Sequence, residues 1–238
     1  MKRTFNFASR NIKELVRDPL GAVFAILLPL FLLFIFRQFD IPNEAYLPEN
    51  FTPGIIVFAF SFLTLFESTL VSRDRTTALM TRLSVSPMKR AEYVLGYLLS
   101  TLPIALLQCL LITAAGVALG LPMRVRVLLA IPAALPAAVL FALFGVFIGN
   151  IVSDKAAPGV SSVIVQLVCF TSGMYFPKEL VGKGFAAVCD LLPFGACLNL
   201  IRAAVSGGGV FSAADAAVLA AWLAATLAAA ALLRKKSI

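Results

Sequence analysis

Long apolar runs alternate with short polar breaks along most of this chain. Residues 20–36, 53–71, 93–119, 127–152, 158–176 and 213–233 each form a nearly unbroken apolar stretch. At 1.5 Å of rise per residue, such stretches cross or nearly cross a hydrocarbon core of about 30 Å. Ahead of them, Phe5, Ala8, Ile12, Leu15 and Val16 recur at helical spacing, with Arg10, Lys13, Glu14 and Arg17 on other faces. That pattern predicts an amphipathic helix in the headgroup region, apolar side inward, over residues 1–19. A signal peptide fits less well, because the following apolar run is long and no A-x-A site comes after Phe36. Residues 177–206 follow neither pattern. Their apolar core, 185–192, is too short to span and is bracketed by Gly182, Gly184, Pro193 and Gly195. A re-entrant or interfacial helical hairpin is the expectation there, since broken helix at membrane depth needs protein or water to satisfy its backbone.

The polar run 72–92, Ser-Arg-Asp-Arg-Thr-Thr-Ala-Leu-Met-Thr-Arg-Leu-Ser-Val-Ser-Pro-Met-Lys-Arg-Ala-Glu, is the longest interruption of the apolar body. Leu79, Met80, Leu83 and Val85 fall on one stripe of a short helix, which Ser86-Pro87 ends because the residue before proline is pushed out of the helical region. Two readings of this run stand: a docking helix, or a solvated loop that only follows the positive-inside rule.

Composition narrows the class. Of 238 residues, 61% are hydrophobic and 13% charged, and the mean hydropathy is +0.96. A soluble domain is nearer half apolar and a quarter charged, so this chain has too little polar surface to cover a water-soluble globule. The expected fold is therefore an all-α integral membrane protein. It would be one domain of six transmembrane helices with an N-terminal interfacial helix, a cytoplasmic coupling segment and an external re-entrant hairpin before the last span. The net charge of +8 sits in the flanks of the apolar runs, which indicates membrane orientation and not nucleic acid. With six spans, both termini share a side. That side holds 14 of the 20 Lys and Arg residues and the other side 6, which predicts cytoplasmic N- and C-termini. Arg124 and Arg126 run against this bias.

Inside the spans, Glu67 is the acid of interest. It lies about one turn from the inner end of its span, where it either reaches the interface toward Arg73 or stands at the inner mouth of a pathway. Gln108 and Gln166 are mid-span amides, suited to interhelical hydrogen bonds or to a pathway. Catalytic chemistry is not visible. Histidine is lacking, as are GxxxxGK[ST], GxSxG and HExxH. The four cysteines have no CxxC spacing, and neither a metal site nor a cofactor is expected in this chain. Cys189 and Cys197 would be too far apart on a continuous helix to form a disulfide unless the break at Pro193 folds the chain back. Any pumping must draw its energy from another polypeptide or from an ion gradient.

Several motifs carry a family resemblance. Arg73-Asp74-Arg75, Arg82-Leu83-Ser84-Val85-Ser86-Pro87 and Glu92-Tyr93-Val94-Leu95-Gly96 resemble the first cytoplasmic loop of ABC type-2 exporter permeases. Arg17-Asp18-Pro19 resembles the end of their connecting helix. Ser172-Gly173-Met174-Tyr175-Phe176-Pro177, then Leu192-Pro193, then Arg202 before a small-residue tail, resembles their external helices near the exit, with Gly173, Pro177 and Pro193 as candidate pathway or gating positions. At positions 78–81 the family often has Gly-Thr-Leu-Glu, where this chain has Ala78, Leu79, Met80 and Thr81. The resemblance implies a drug- or antibiotic-exporter-like half-permease in the bacterial inner membrane. It would pair with a second permease copy and recruit a separate P-loop ATPase that binds ATP and magnesium. Arg75, Leu79, Met80, Arg82, Leu83, Val85, Ser86 and Pro87 would couple to that ATPase. Short outer loops lean toward a hydrophobic or amphipathic cargo. A gradient-driven secondary transporter and a non-transporting assembly factor are the alternatives.

Overall fold

A computed structural model describes residues 2–39, 46–77, 79, 89–175, 181–207 and 211–233. Among the described residues every regular element is helical. The helices are α1 (Lys2–Val16), α2 (Pro19–Gln38), α3 (Pro48–Thr76), α4 (Arg90–Ala118), α5 (Val125–Ile151), α6 (Ala157–Thr171), α7 (Lys183–Leu191), α8 (Pro193–Ser206) and α9 (Ala213–Leu233). Four are long and apolar enough to cross a membrane: α3, α4, α5 and α9. The pair α7–α8 makes a fifth only if its 77° bend is counted as one broken span. The described apolar parts of α2, Val23–Gln38, and of α6 fall in a shorter class. For α6 the reason is local. At 15 residues it covers only about 22 Å, and it stops where Gly173 turns to φ +76°, a conformation that glycine adopts without steric cost.

The bundle is built around α3. Of its most apolar window 83% is buried, against 17% for α9, so α3 is the axis and α9 the rim. Helices α2, α4, α5, α6 and α8 all pack on it. Its closest neighbour is α5, and two glycines allow that approach. A Cβ at Gly145 would lie 2.5 Å from Glu67 Cβ and 2.8 Å from the Thr64 carbonyl oxygen. One at Gly149 would lie 2.7 Å from the Ser68 carbonyl oxygen. Gly145 and Gly149 are one turn apart, the small-xxx-small spacing that brings membrane helices into backbone contact where water supplies no driving force.

Arginines tie down the end of the bundle opposite to Asp74. Arg37 Nε donates to the Leu119 carbonyl at 2.8 Å, holding the end of α2 against the end of α4. Arg202 Nε donates to the Asn50 carbonyl at 3.0 Å, joining α8 to α3. Pro193 opens α8 as its first residue, and Phe194 stacks on Phe141 of α5 at 5.8 Å. Trp222 Nε1 of α9 donates to the Leu191 carbonyl at the α7–α8 corner, 2.9 Å away. Asp215 accepts from the Ser212 backbone N–H and hydroxyl while Ser212 Oγ accepts from the Asp215 N–H, a reciprocal cap on α9.

Helix α1 covers one face against α4: Thr4, Phe7, Ala8 and Asn11 are buried, whereas Phe5 is 65% exposed. It packs Phe7 between Tyr93 and Tyr97 of α4, and a Cβ at Gly96 would overlap the Phe7 ring. These aromatic contacts and the part-buried pairing of Arg10 with Asp74 set which face is covered, and Phe5 is left open.

Gly145→Ala is expected to push α3 and α5 apart at an overpacking cost of about 1–3 kcal/mol. A detergent thermal-unfolding profile followed by size exclusion should show a lower midpoint. An unchanged midpoint would contradict the close contact.

Candidate functional site

The polar groups of α3 form a ladder down its second half. Thr64 donates to the Phe141 carbonyl at 2.8 Å. Ser68 Oγ meets Ser161 Oγ of α6 at 2.5 Å. Glu67 is fully buried, and its Oε1 accepts from Thr101 and, at 3.5 Å, from Ser100, both on α4. Glu67 Oε2 has no partner among the described residues. The carboxylate therefore does not reach the interface toward Arg73. Six positions along α3 is one and two-thirds turns, so Glu67 and Arg73 leave on different faces.

At the foot of the ladder Asp74 gathers three helices. Its side chain is 1% exposed. Arg10 of α1 donates to both of its oxygens, at 2.6 and 2.8 Å, a two-pronged pair. Tyr97 of α4 donates its hydroxyl at 2.7 Å. A buried carboxylate costs several kcal/mol unless paired and hydrogen-bonded, and here both oxygens are engaged. Arg10 also donates to Glu14 at 2.7 Å and to Asn11 Oδ1 at 3.1 Å. Burial works against the Arg10 charge, yet the hydrogen bond and charge of Asp74, with smaller contributions from Glu14 and Tyr97, raise its pKa above the ordinary arginine value. Arg10 stays charged throughout the physiological range.

The neighbouring Arg75 is occupied inside the fold. It donates to the carbonyls of Gly149 and Val152 at 2.9 and 3.2 Å, where α5 ends. It thus satisfies carbonyls that a helix terminus leaves without partners. Arg73, in contrast, is exposed. It borders a cavity of about 210 Å³ with Glu14, Asp18, Leu65, Phe66 and Leu70, where α1, α2 and α3 meet.

The remaining sequence candidates separate. Leu79 is helical, half-buried and packed on the Phe7–Tyr93–Tyr97 cluster. Met80, Arg82, Leu83, Val85, Ser86, Pro87 and Pro177 lie outside the described residues. Residues 72–76 are the last turns of α3, so no separate helix starts at Ser72, and α4 begins at Arg90 with Glu92 accepting the Lys89 backbone N–H. Gln108 Nε2 donates to the carbonyls of Ala25 and Ala59, joining α2, α3 and α4. Gln166 is exposed on α6. Gly173 and Pro193 sit at the breaks already described, with the Gly173 carbonyl 3.5 Å from Arg202. None of the four cysteines is in a disulfide, Cys189 and Cys197 included. Arg10, Asp74 and Tyr97 were not singled out from sequence. Their signals were Asp74 between two arginines, and Tyr93 and Tyr97 one turn apart.

The ABC-2 type transporter family model matches residues 3–205, from α1 to the end of α8. The chain belongs to this family. No curated protein matches the chain. As an ABC-2 permease it is a multi-pass membrane transport component and not itself a catalyst, and the Asp74 junction lies where α3 enters the segment that the family motifs mark.

In this permease Asp74→Asn removes the ion pair while keeping the size of the side chain, losing about 1.5–3 kcal/mol per charged hydrogen bond. Limited trypsin digestion should then cut at Arg10, Lys13 or Arg17 several-fold faster. Unchanged cleavage would show that α1 is held by other contacts.

Proposed function

We propose that this chain is the membrane-spanning half of an ATP-driven ABC exporter in the bacterial inner membrane. The observation that carries this reading is the Asp74 junction. The last turns of α3, which lead directly into residues 78–88, are held to α1 and α4 through Asp74 and to α5 through Arg75. A load applied to that segment therefore reaches three helices at once. A separate P-loop ATPase, binding ATP and magnesium, would dock there. Met80 and Leu83 would supply apolar anchors and Arg82 the charge. Arg75 belongs to the internal end of the linkage and Leu79 to its base. In this reading α2 and α6 complete six spans, both termini are cytoplasmic, and α7–α8 is the external re-entrant hairpin. The cavity edged by Glu14, Asp18 and Arg73 is where a hydrophobic or amphipathic cargo enters from the inner leaflet.

A second permease copy is supported by Gln166. It is exposed on α6 among Val163, Leu167 and Phe170, also exposed, and has no hydrogen-bond partner among the described residues. An amide facing hydrocarbon gains by bonding across a helix interface, about 1–2 kcal/mol in model peptides. Gln166→Leu is expected to weaken dimers in detergent several-fold by analytical ultracentrifugation, and equal dimer stability would remove Gln166 from the interface.

The docking assignment is tested by Leu83→Asp. The variant should insert into membranes normally and fail to retain the ATPase in a pull-down. Normal retention would move the docking site elsewhere. The fully buried Glu67 favours one competing reading, a gradient-driven transporter. The exporter reading expects Glu67→Gln to keep nucleotide-dependent transport in proteoliposomes, and transport that dies with that substitution and follows a proton gradient would favour the competitor.

A further inference from the structure

Arg124, at the Arg37 end of the bundle, is a basic residue whose side chain has no partner among the described residues. Arg37 and Arg202 cap carbonyls, and the Arg126 guanidinium lies against Gly207, where an added Cβ would collide with it. Arg124 is exposed, and its side chain makes no hydrogen bond or ion pair among the described residues, while its carbonyl accepts from the Val127 backbone N–H at 2.9 Å. It stands at the start of α5, where no side chain caps the helix. It also forms the mouth of a groove of about 460 Å³ between α4 and α5. That volume falls in the range of about 300–1,000 Å³ typical of small-molecule sites. The walls are mostly apolar, with Leu110, Ala114 and Val117 on α4 and Val127, Leu128 and Ile131 on α5, and Thr113 of α4 adds an uncharged polar side chain. Met123, Val125 and Leu128 are 79%, 83% and 57% exposed at its edge.

The groove's dimensions match one kind of occupant. From Leu110 to Val117 the α4 wall runs about 10 Å along the helix axis, a large part of the roughly 15 Å of hydrocarbon in one leaflet. One end is dry and closed by leucine and isoleucine. The other offers the Arg124 guanidinium beside the N-terminus of α5, both suited to phosphate. We propose that this groove binds an anionic phospholipid, with one acyl chain between α4 and α5 and the phosphate on Arg124. The same occupant accounts for a cation that runs against the positive-inside bias.

The test uses the full chain, purified in mild detergent and incubated with equimolar dioleoyl phosphatidylglycerol and dioleoyl phosphatidylcholine, with retained lipids counted by native mass spectrometry. The expected result is a preference for phosphatidylglycerol of about tenfold, the scale of one charge-assisted contact. Arg124→Ala should bring that ratio close to one, Arg124→Lys should keep most of it, and Leu128→Trp, which fills the groove, should remove both lipids. Arg126→Ala should leave the ratio intact. Arg124→Glu changes only an exposed side chain and should reverse the preference, which keeps the test decisive if the tryptophan variant misfolds. An unchanged ratio in Arg124→Ala overturns the proposal, as does an equal loss in Arg126→Ala, which would mean diffuse charge attraction. A shift from dimer to monomer in Leu128→Trp with lipid retention unchanged also overturns it and assigns the groove to a second copy.

Discussion

A carboxylate that cannot be left unpaired organises one end of this permease. Asp74 is buried at the last turns of α3 and draws Arg10 from α1 and Tyr97 from α4 to itself. An isolated ion at this depth would cost several kcal/mol, and the attraction offsets that cost only when the geometry is good and every lone pair is served. The requirement is directional, so it fixes the rotation of α1 as well as its position. Phe7 then falls between two tyrosines, Gly96 makes room for its ring, and Phe5 is left facing outward. One charge thus decides which strip of an otherwise ambiguous amphipathic helix is buried.

The rest of the bundle follows the same logic with weaker partners. In hydrocarbon, apolar area alone does not drive helix association, so packing and interhelical hydrogen bonds do the work. Helix α3 supplies both. Gly145 and Gly149 of α5 let the two backbones touch, and Thr64, Glu67 and Ser68 then reach α5, α4 and α6 in turn. Gln108 fastens α2 at mid-depth. At the far end Arg37 and Arg202 clip helix ends and loop carbonyls together. The result is a bundle packed along α3.

Much of this was legible in the sequence. The apolar runs mark where helices lie, the proline and glycine breaks mark the α7–α8 corner, and the loop motifs point to the family that the match over residues 3–205 assigns. The remainder depends on pairing across the fold, which one-dimensional pattern does not encode. Glu67 and Arg73 look like partners by proximity in sequence, yet helical rotation separates them. Arg75 looks like a free docking cation, yet the end of α5 supplies two carbonyls for it. The G-x-x-x-G of residues 145–149 was visible but lies within a run whose uniform hydrophobicity hides it. Hydropathy runs on past Ser172, so the apolar pattern does not mark the place where α6 ends and the backbone turns at Gly173.

In the proposed exporter, α1, the foot of α3 and α4 would move as one unit when a docked ATPase closes. Lys13 on α1 and Leu95 on α4 are both exposed and suit spin labels. Their separation can be measured by pulsed electron spin resonance in the reconstituted complex, without nucleotide and with trapped ATP. The account predicts the same distance distribution in both states. A shift of about one helical turn, roughly 5 Å, would show that α1 slides on α4 and that the Asp74 junction does not carry the coupling.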